Sequence, residues 1–567
     1  MAQNFIQVLL RNFSEYADEP AMMFKSEGRY RTISYRELEE IVFRVASNLM
    51  RMGLDPRDRM AVFSNNRPEW AQADMGALLS GAVSSAIYAS STAEEAAFII
   101  NYLEASFLFV EDAPQLEKIL RIRERIPCVR KVFVFTGPFE NPDPSWVMPF
   151  SALLEGEKPS LELKERIQQI AAGIHGGDPM CVIYTSGTTG NPKGVVLTYD
   201  NYLLTLESIV EHVRETDKLR RNLSFLPLAH AFERFAGYYL LLYMGRCIAY
   251  AQSIETLLEN FREVRPNIFV GVPRVFEKIH ARITQGVRAA STVRKVIFYW
   301  ALGVGKEVSR CRVNGLEIPP FLRLKYRIAD ALLFKKVKAA FGGEIEFCVS
   351  GGAPLSREVA EFFHAMDVLV LEGWGATEAT TPSTLNTPGE FRFGTVGKPL
   401  PRVQVRVAAD GELEVKGPNV FKEYWRNPDE TRATFTDDGF YRTGDIGTID
   451  EEGWVTITDR KKQLIITSGG KNIAPAPIEN LLLSGRHIGL GDLSWPELMS
   501  HPRIIEKIQK EVDHANEQLP RFMQIKYFRI LPKPFSIESG EMTPTMKLKK
   551  RVIEEKYRDL LDAMYNE

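Results

Sequence analysis

The sequence has little cysteine, little histidine and no long apolar run. Its five cysteines, Cys128, Cys181, Cys247, Cys311 and Cys348, are an odd number, widely spread, with no CxxC pair and no histidine at ligand spacing. That excludes a disulfide framework and a zinc-finger site, and the thiols read as reduced, in a cytoplasmic protein. The most apolar stretch, residues 237–244 (GYYLLLYM), resumes after Gly245-Arg246 as CIAYA and falls well short of the roughly 20 apolar residues of a spanning helix. It reads as buried core. The opening MAQNFIQVLLRNFSEYADEP has too short an apolar stretch for a secretory signal, so no export is expected. An excess of one charge is absent too: 71 basic and 73 acidic residues leave −2, which argues against a protein that coats nucleic acid.

What is present is ordinary globular usage, 45% hydrophobic and 25% charged, over 567 residues. That length implies at least two domains. Residues 35–52 place Leu38, Ile41, Val42, Val45, Leu49 and Met50 on one helical face, and 58–64 (DRMAVFS) form a short β-like run. The alternation returns in AEEAAFIINYLEA followed by SFLFVED, and in REVAEFFHAMD followed by VLVLEGWG. The expected class is α/β, a sheet with helices on its faces. From Gly411 the texture turns to short strands between Gly and Asp turns, predicting a small β-rich subdomain over about 395–458. Between Arg274 and Ala340, 15 Lys/Arg stand against 4 Asp/Glu, interleaved with apolar residues at helical spacing. A solvated helical face is the plain reading; attraction to anionic lipid or to an anionic cosubstrate is the functional one.

The most informative string is residues 184–194, YTSGTTGNPKG, between the apolar runs 180–183 and 195–197. A strand, loop and strand are implied. Successive hydroxyl residues and glycines let backbone N–H and side-chain O–H groups turn toward one anion, and Lys193 adds a full charge, an arrangement suited to phosphate. Pro192 before Lys193 and Gly194 after it break the Walker A pattern.

At this string the sequence resembles the adenylate-forming (AMP-binding) enzymes. The likeness continues in order through SGGAP (350–354), EGWGATE (372–378), YRTGD (441–445), DRKK (459–462) and TPTMK (543–547). SFLPLAHAFER, GVPRVFEKI and TPTMKLKKR are similar in flavour to long-chain fatty acyl-CoA synthetases. The resemblance implies a large N-terminal domain of layered α/β subdomains with a β-barrel-like piece, residues 1–458, and a small mobile α+β C-terminal domain, 459–567. It also implies ATP, Mg²⁺ and CoA as cofactor and cosubstrates, and activation of a long-chain fatty acid through an acyl-adenylate.

Residue roles follow from the same resemblance. Thr185, Ser186, Gly187, Thr188, Thr189, Gly190 and Lys193 would hold the β- and γ-phosphates. Gly351, Gly352, Ala353 and Pro354 would let adenine lie on backbone, with Gly373, Trp374 and Gly375 across from it. Thr377 and Glu378 follow a strand, and a carboxylate beside a triphosphate is best explained as a Mg²⁺ ligand. Asp445 would accept from the ribose hydroxyls, and Arg460 would reach the ribose or phosphate side. Lys547 would bridge the acyl carboxylate and α-phosphate, stabilising the pentacoordinate transition state. Lys547, Glu378, Thr188 and His230 are thus the candidate catalytic residues. Lys462 matches the hinge, and Ser468, Gly469 and Gly470 the loop that approaches the CoA thiol. The acyl pocket is expected among Leu228–Gly245 and the GVPRVF segment.

One departure stands out. After residues 478–485 (IENLLLSG) the chain passes directly to RHIGLGDLSWPELMSHP, shorter than the resemblance implies by roughly 30 residues of a strand pair, leaving QLIITS and IKYFRILP as the expected C-terminal strands. The alternatives left open are transfer to a carrier-protein pantetheine, a reaction that stops at the adenylate, and a non-catalytic lipid- or nucleotide-binding relative. Expected partners are the fatty acid, ATP and CoA, with peripheral membrane contact through 274–340; a homodimer is left open.

Overall fold

The computed structural model describes residues 4–141, 143–156, 160–185, 192–461, 465–466, 472–473, 502–517, 524–531, 533, 535–536, 539–542 and 548–566. Two large sheets carry the N-terminal part. One has eight strands, in the order Glu423–Tyr424, Lys193–Thr198, Pro179–Thr185, Val83–Ile87, Arg59–Phe63, Phe107–Val110, Lys131–Val134 and Val147–Pro149. The other has nine, in the order Lys398–Pro399, Thr384–Leu385, Val370–Trp374, Phe347–Ser350, Ile268–Gly271, Arg221–Ser224, Cys247–Tyr250, Pro20–Ser26 and Arg29–Ser34. In each the central strands are parallel; both edges of the nine-stranded sheet are antiparallel, whereas the eight-stranded sheet has one antiparallel edge, Glu423–Tyr424, and one parallel edge, Val147–Pro149. Helices cover them, as the α/β expectation requires.

Local sequence explains the elements. Ser34 caps the helix Tyr35–Arg51 in a reciprocal box with Glu37; of the predicted stripe, Leu38, Val42, Val45 and Leu49 are fully buried, while Ile41 and Met50 are half-buried. The helix Ala93–Leu103 starts with the same device, from Thr92 and Glu95, and runs into the buried strand Phe107–Val110. Residues 237–242 are buried, in a π-helical turn Glu233–Tyr239 continued by the helix Leu240–Tyr243. That turn is anchored by a buried ion pair, Arg234 to Asp74 at 2.5 Å, to which Ser84, Tyr238 and Tyr239 add hydroxyls. None of the five cysteines is in a disulfide, and among the described residues no helix is long and apolar enough to cross a membrane.

The β-rich piece is a four-stranded antiparallel sheet, Gln404–Val407, Glu412–Lys416, Tyr441–Ile449 and Val455–Arg460. It is laced to the larger body, because Glu423–Tyr424, from between its second and third strands, pairs with the edge strand Lys193–Thr198 of the eight-stranded sheet. In the C-terminal part Ile465–Ile466 pairs with Asn472–Ile473, and the helices Pro502–Glu517, Lys550–Lys556 and Arg558–Asn566 follow. The expected strand IKYFRILP differs: described residues 524–531 lie outside any ladder. The side-chain amide of Asn516 meets the backbone of Ile525 instead, accepting its N–H at 2.8 Å and donating to its carbonyl at 3.0 Å. The segment after 485 that looked shortened lies largely outside the described residues.

Candidate active site

Four neighbouring parallel strands of the nine-stranded sheet, Arg221–Ser224, Ile268–Gly271, Phe347–Ser350 and Val370–Trp374, each end at a segment singled out by sequence. Ligands of open α/β sheets sit at such carboxyl ends. Gly351 is buried, whereas Gly352, Ala353 and Pro354 are exposed on the loop that follows. Gly352 has φ +82°, a conformation open to glycine and strained for other residues. A Cβ on Gly351 would stand 2.9 Å from Cζ of Phe232, so the loop backbone lies directly on that ring. The far end of the loop is pinned by Glu372, whose Oε1 accepts the Leu355 N–H at 3.0 Å. Burial pushes the Glu372 carboxyl up to about 7, against the lowering effect of that hydrogen bond.

The string expected to hold phosphate stands on a hairpin. Pro179–Thr185 and Lys193–Thr198 pair antiparallel, with Thr185 opposite Lys193; Ser186, Gly187, Thr188, Thr189 and Gly190, which join them, lie outside the described residues. The Lys193 ammonium forms an ion pair with Glu430 and lies 5.3 Å from the centroid of the Tyr424 ring. Tyr424 donates its hydroxyl to Oε1 of Glu378 at 2.8 Å. Burial raises the Tyr424 hydroxyl well above its ordinary range, and the neighbouring Glu378 carboxylate adds to this. Glu378 sits with Thr377 in a 3₁₀ turn just beyond the strand Val370–Trp374. Lys193 and Glu378, 185 positions apart, thus share one aromatic neighbour.

Asp445 and Arg460 face each other across two strands of the β-rich sheet. Asp445 is 3% exposed, with both carboxylate oxygens engaged: the Trp374 indole N–H donates to Oδ2 at 2.7 Å, and Arg460 Nε lies 2.8 Å from Oδ1. Trp374, Asp445 and Arg460 are therefore in direct contact, with Gly373 and Gly375 on either side of Trp374 in the chain. Their resting contacts are with each other, so ribose hydroxyls would have to share or displace them. His230 is half-buried in the turn before the π-helix, its Nδ1 accepting the Phe232 N–H at 3.2 Å. Asn66 steadies the strand-to-turn passage, donating to the Leu226 carbonyl at 2.6 Å and accepting from Leu228 N–H at 2.8 Å.

An apolar cavity with about 50 Å³ of water-accessible room lies here. It is lined by Phe232, Ala236, Leu240 and Met244, by Ile268, Val270 and Val349, and by Gly351 and Gly373 of the two glycine loops. The overshoot of an α turn and the undershoot of the wider π turn offset each other, so residues four apart line up along the helix. Of the stretch 228–245, where the acyl pocket is expected, Phe232, Ala236, Leu240 and Met244 line the cavity; no residue of the GVPRVF segment does, although Ile268 and Val270 just before it do.

Sequence reading missed Tyr424, Glu430 and Asn66, and gave no role to Glu372 of the EGWGATE string. Each acts through a partner remote in the chain, and a carboxylate or tyrosine alone carries no signal of that. Lys547, Lys462, Ser468, Gly469 and Gly470 lie outside the described residues.

Comparison with known proteins agrees with this geometry. The AMP-binding enzyme family matches residues 9–425, and the AMP-binding enzyme C-terminal domain matches 494–567. Long-chain-fatty-acid–CoA ligase FadD15 of Mycobacterium bovis is 33% identical over 577 aligned positions, covering 95% of this chain and 93% of the relative. Long-chain-fatty-acid–CoA ligase ACSBG2 of Xenopus laevis is 29% identical, covering 99% and 83%. Among solved structures, the anthranilate CoA ligase AuaEII in complex with anthranoyl-AMP superposes with a TM-score of 0.74 at 18% identity, covering 98% of this chain and 97% of that one. The adenylation domain of a carboxylate reductase from Mycobacterium chelonae gives 0.74 at 20% identity, over 100% and 91%. These structures share the fold. With glycine loops at the carboxyl ends of parallel strands, a lysine-bearing hairpin beside them and a family match over most of its length, the chain belongs to the AMP-binding enzymes.

Proposed function

We propose that this protein activates long-chain fatty acids with ATP to acyl-CoA, through an acyl-adenylate, releasing pyrophosphate and AMP. The observation that carries this reading is the apolar cavity lined in part by Gly351 and Gly373, the glycines of the two nucleotide loops. A chain lying in it would present its carboxylate where an α-phosphate can be reached, and confinement would replace a bimolecular encounter.

The residues divide the work. Lys193 and the hydroxyl-rich hairpin loop hold the departing β- and γ-phosphates, and Lys193 must leave Glu430 to do so. The Gly351–Pro354 loop receives adenine; Asp445, with Trp374 and Arg460, receives ribose. Mg²⁺ fits the donors present, since an ion carried by phosphates needs only one or two protein carboxylates and Glu378 supplies one beside Lys193. When bound, it would neutralise charge on the leaving pyrophosphate. Lys547 stabilises charge on the α-phosphate during adenylation. The boundary is placed at 458/459, with Lys462 as the hinge about which the C-terminal domain withdraws Lys547 and brings Ser468–Gly470 toward the thiol. Peripheral contact with membrane through residues 274–340 belongs to the same reading.

AMP release measured over a ladder of fatty acids, with and without CoA, tests it. The expected result is CoA-dependent turnover rising with chain length. Acid-dependent exchange of pyrophosphate into ATP without thioester on free CoA would replace it with adenylation for another acceptor. Absence of exchange with every acid would overturn it.

A further inference from the structure

Residues 273–340 are an excursion between Ile268–Gly271 and Phe347–Ser350, strands that pair directly with each other. It folds as the helices Pro273–Ala289, Thr292–Val313 and Pro320–Ala329, a π-helical turn Asp330–Phe334 and a last helix Lys335–Ala340. Its inner side is firmly seated. Phe298, Ala301 and Val308 are buried, Ser309 Oγ lies 2.7 Å from His364 Nδ1, and a Cβ on Gly305 would meet the Ala365 carbonyl oxygen at 1.9 Å. The middle helix therefore lies hard against the helix Arg357–Ala365.

The outer side is different. Val293, Val296, Tyr299 and Trp300 recur at helical spacing on the middle helix and are 38–69% exposed. Phe321, Leu324, Ile328 and Leu332 do the same on the next helix and turn, at 42–68%. Ten of the 17 large apolar side chains exposed among the described residues fall within 293–332, so this is a concentration and not the usual scatter of single apolar residues. Between them stand Arg294, Lys306, Arg310, Arg323, Arg327 and Lys336, exposed and in no ion pair among the described residues. Apolar and aromatic side chains mixed with arginine and lysine on one helical surface suit the boundary between headgroups and acyl chains.

We propose that the outer face of helices Thr292–Val313 and Pro320–Ala329 docks on an anionic lipid bilayer, its basic residues on the headgroups and its apolar stripes below them. This rests on the fatty-acid reading only for its purpose, since the substrate dissolves in the same bilayer. Charge selects lipid over a second copy of the chain: an isologous contact would set this patch on itself, and residues 274–340 carry 15 basic against 4 acidic residues.

The test uses the full chain and sedimentation with vesicles of phosphatidylcholine alone or mixed with phosphatidylglycerol, in the absence of acid and ATP. Wild type is expected on the mixed vesicles. Arg323→Glu/Arg327→Glu should bind them at least about tenfold more weakly. Phe321→Ser/Leu324→Ser should attach at low salt but be stripped by high salt, where screening shortens to about 3 Å at 1 M, while wild type keeps a residual bound fraction. Both variants should retain acid-dependent pyrophosphate exchange with a water-soluble acid, which shows that they fold. Wild type that ignores the mixed vesicles, variants that bind like wild type, or dimerisation lost on the same substitutions with no lipid binding would each overturn the proposal. Intact exchange with no vesicle binding strikes the docking surface alone; failed exchange in wild type strikes the proposed reaction.

Discussion

Glu372 is a carboxyl group buried beneath the Gly351–Pro354 loop with a single backbone donor, the Leu355 N–H. Its pKa of about 7 has a definite sign for stability. Between the ordinary glutamate range and about 7 the folded protein keeps a proton that the unfolded chain has lost, so this group's contribution falls as pH rises through that window and stays unfavourable above it. Glu372→Gln keeps an acceptor for Leu355 and removes the titration. The variant should be more stable than wild type by about 2–3 kcal/mol near pH 8 and equal to it near pH 4. Thermal melts across pH check this, and parallel curves for the two proteins would contradict it. Lys193, Glu378, Asp445, Trp374 and Arg460 were legible because each stands in a patterned string. Glu430 and Tyr424 were not, because what makes them matter is a neighbour the folded chain brings from far away, Lys193 for Glu430 and Glu378 for Tyr424; Glu372 heads the EGWGATE string, but its bond to the Leu355 N–H shows only in the fold.

At the scale of elements, Phe232, Ala236, Leu240 and Met244 line the cavity at successive turns of one helical stretch. Ala236 lies one turn beyond the ring that rests on Gly351, about 6 Å along the helix. Ala236→Phe should therefore block long acids and spare short ones. Overpacking of 1–3 kcal/mol corresponds to about a tenfold to hundredfold loss in kcat/KM for long chains, with little change for acids of a few carbons; equal losses across the ladder would place the acyl chain elsewhere. The α/β alternation was readable from the sequence, as in Tyr35–Arg51, where burial follows the helical period, and in the short apolar run Arg59–Phe63, which is buried continuously as an interior strand. IKYFRILP shows where pattern fails. An apolar run states that a segment prefers partners, and at Ile525 the partner is a side-chain amide from Asn516 in place of a strand. The pairing of Glu423–Tyr424 with the distant Lys193–Thr198 edge was equally invisible, being two residues long.

At the scale of the whole molecule, the proposed division at 458/459 assigns one reaction half to a lysine that the other half does not use. Lys547→Ala should abolish adenylation while leaving thioesterification of supplied acyl-adenylate largely intact, as read by CoA-dependent AMP release from the preformed adenylate; equal loss of both halves would contradict the assignment. The charge distribution is the other property of the molecule as a whole. The formal total of −2 is nearly neutral, yet residues 274–340 carry 15 basic and 4 acidic side chains, leaving 56 basic and 69 acidic in the remainder. Two regions of opposite sign give the protein a permanent electric dipole that its isoelectric point conceals. Near a negatively charged plane the field exerts a torque, turning the helical excursion toward the plane and the acidic body away within about a Debye length, 8–10 Å at ordinary salt. At a single neutral pH the protein should be retained by cation-exchange and anion-exchange resins alike, each gripping a different end.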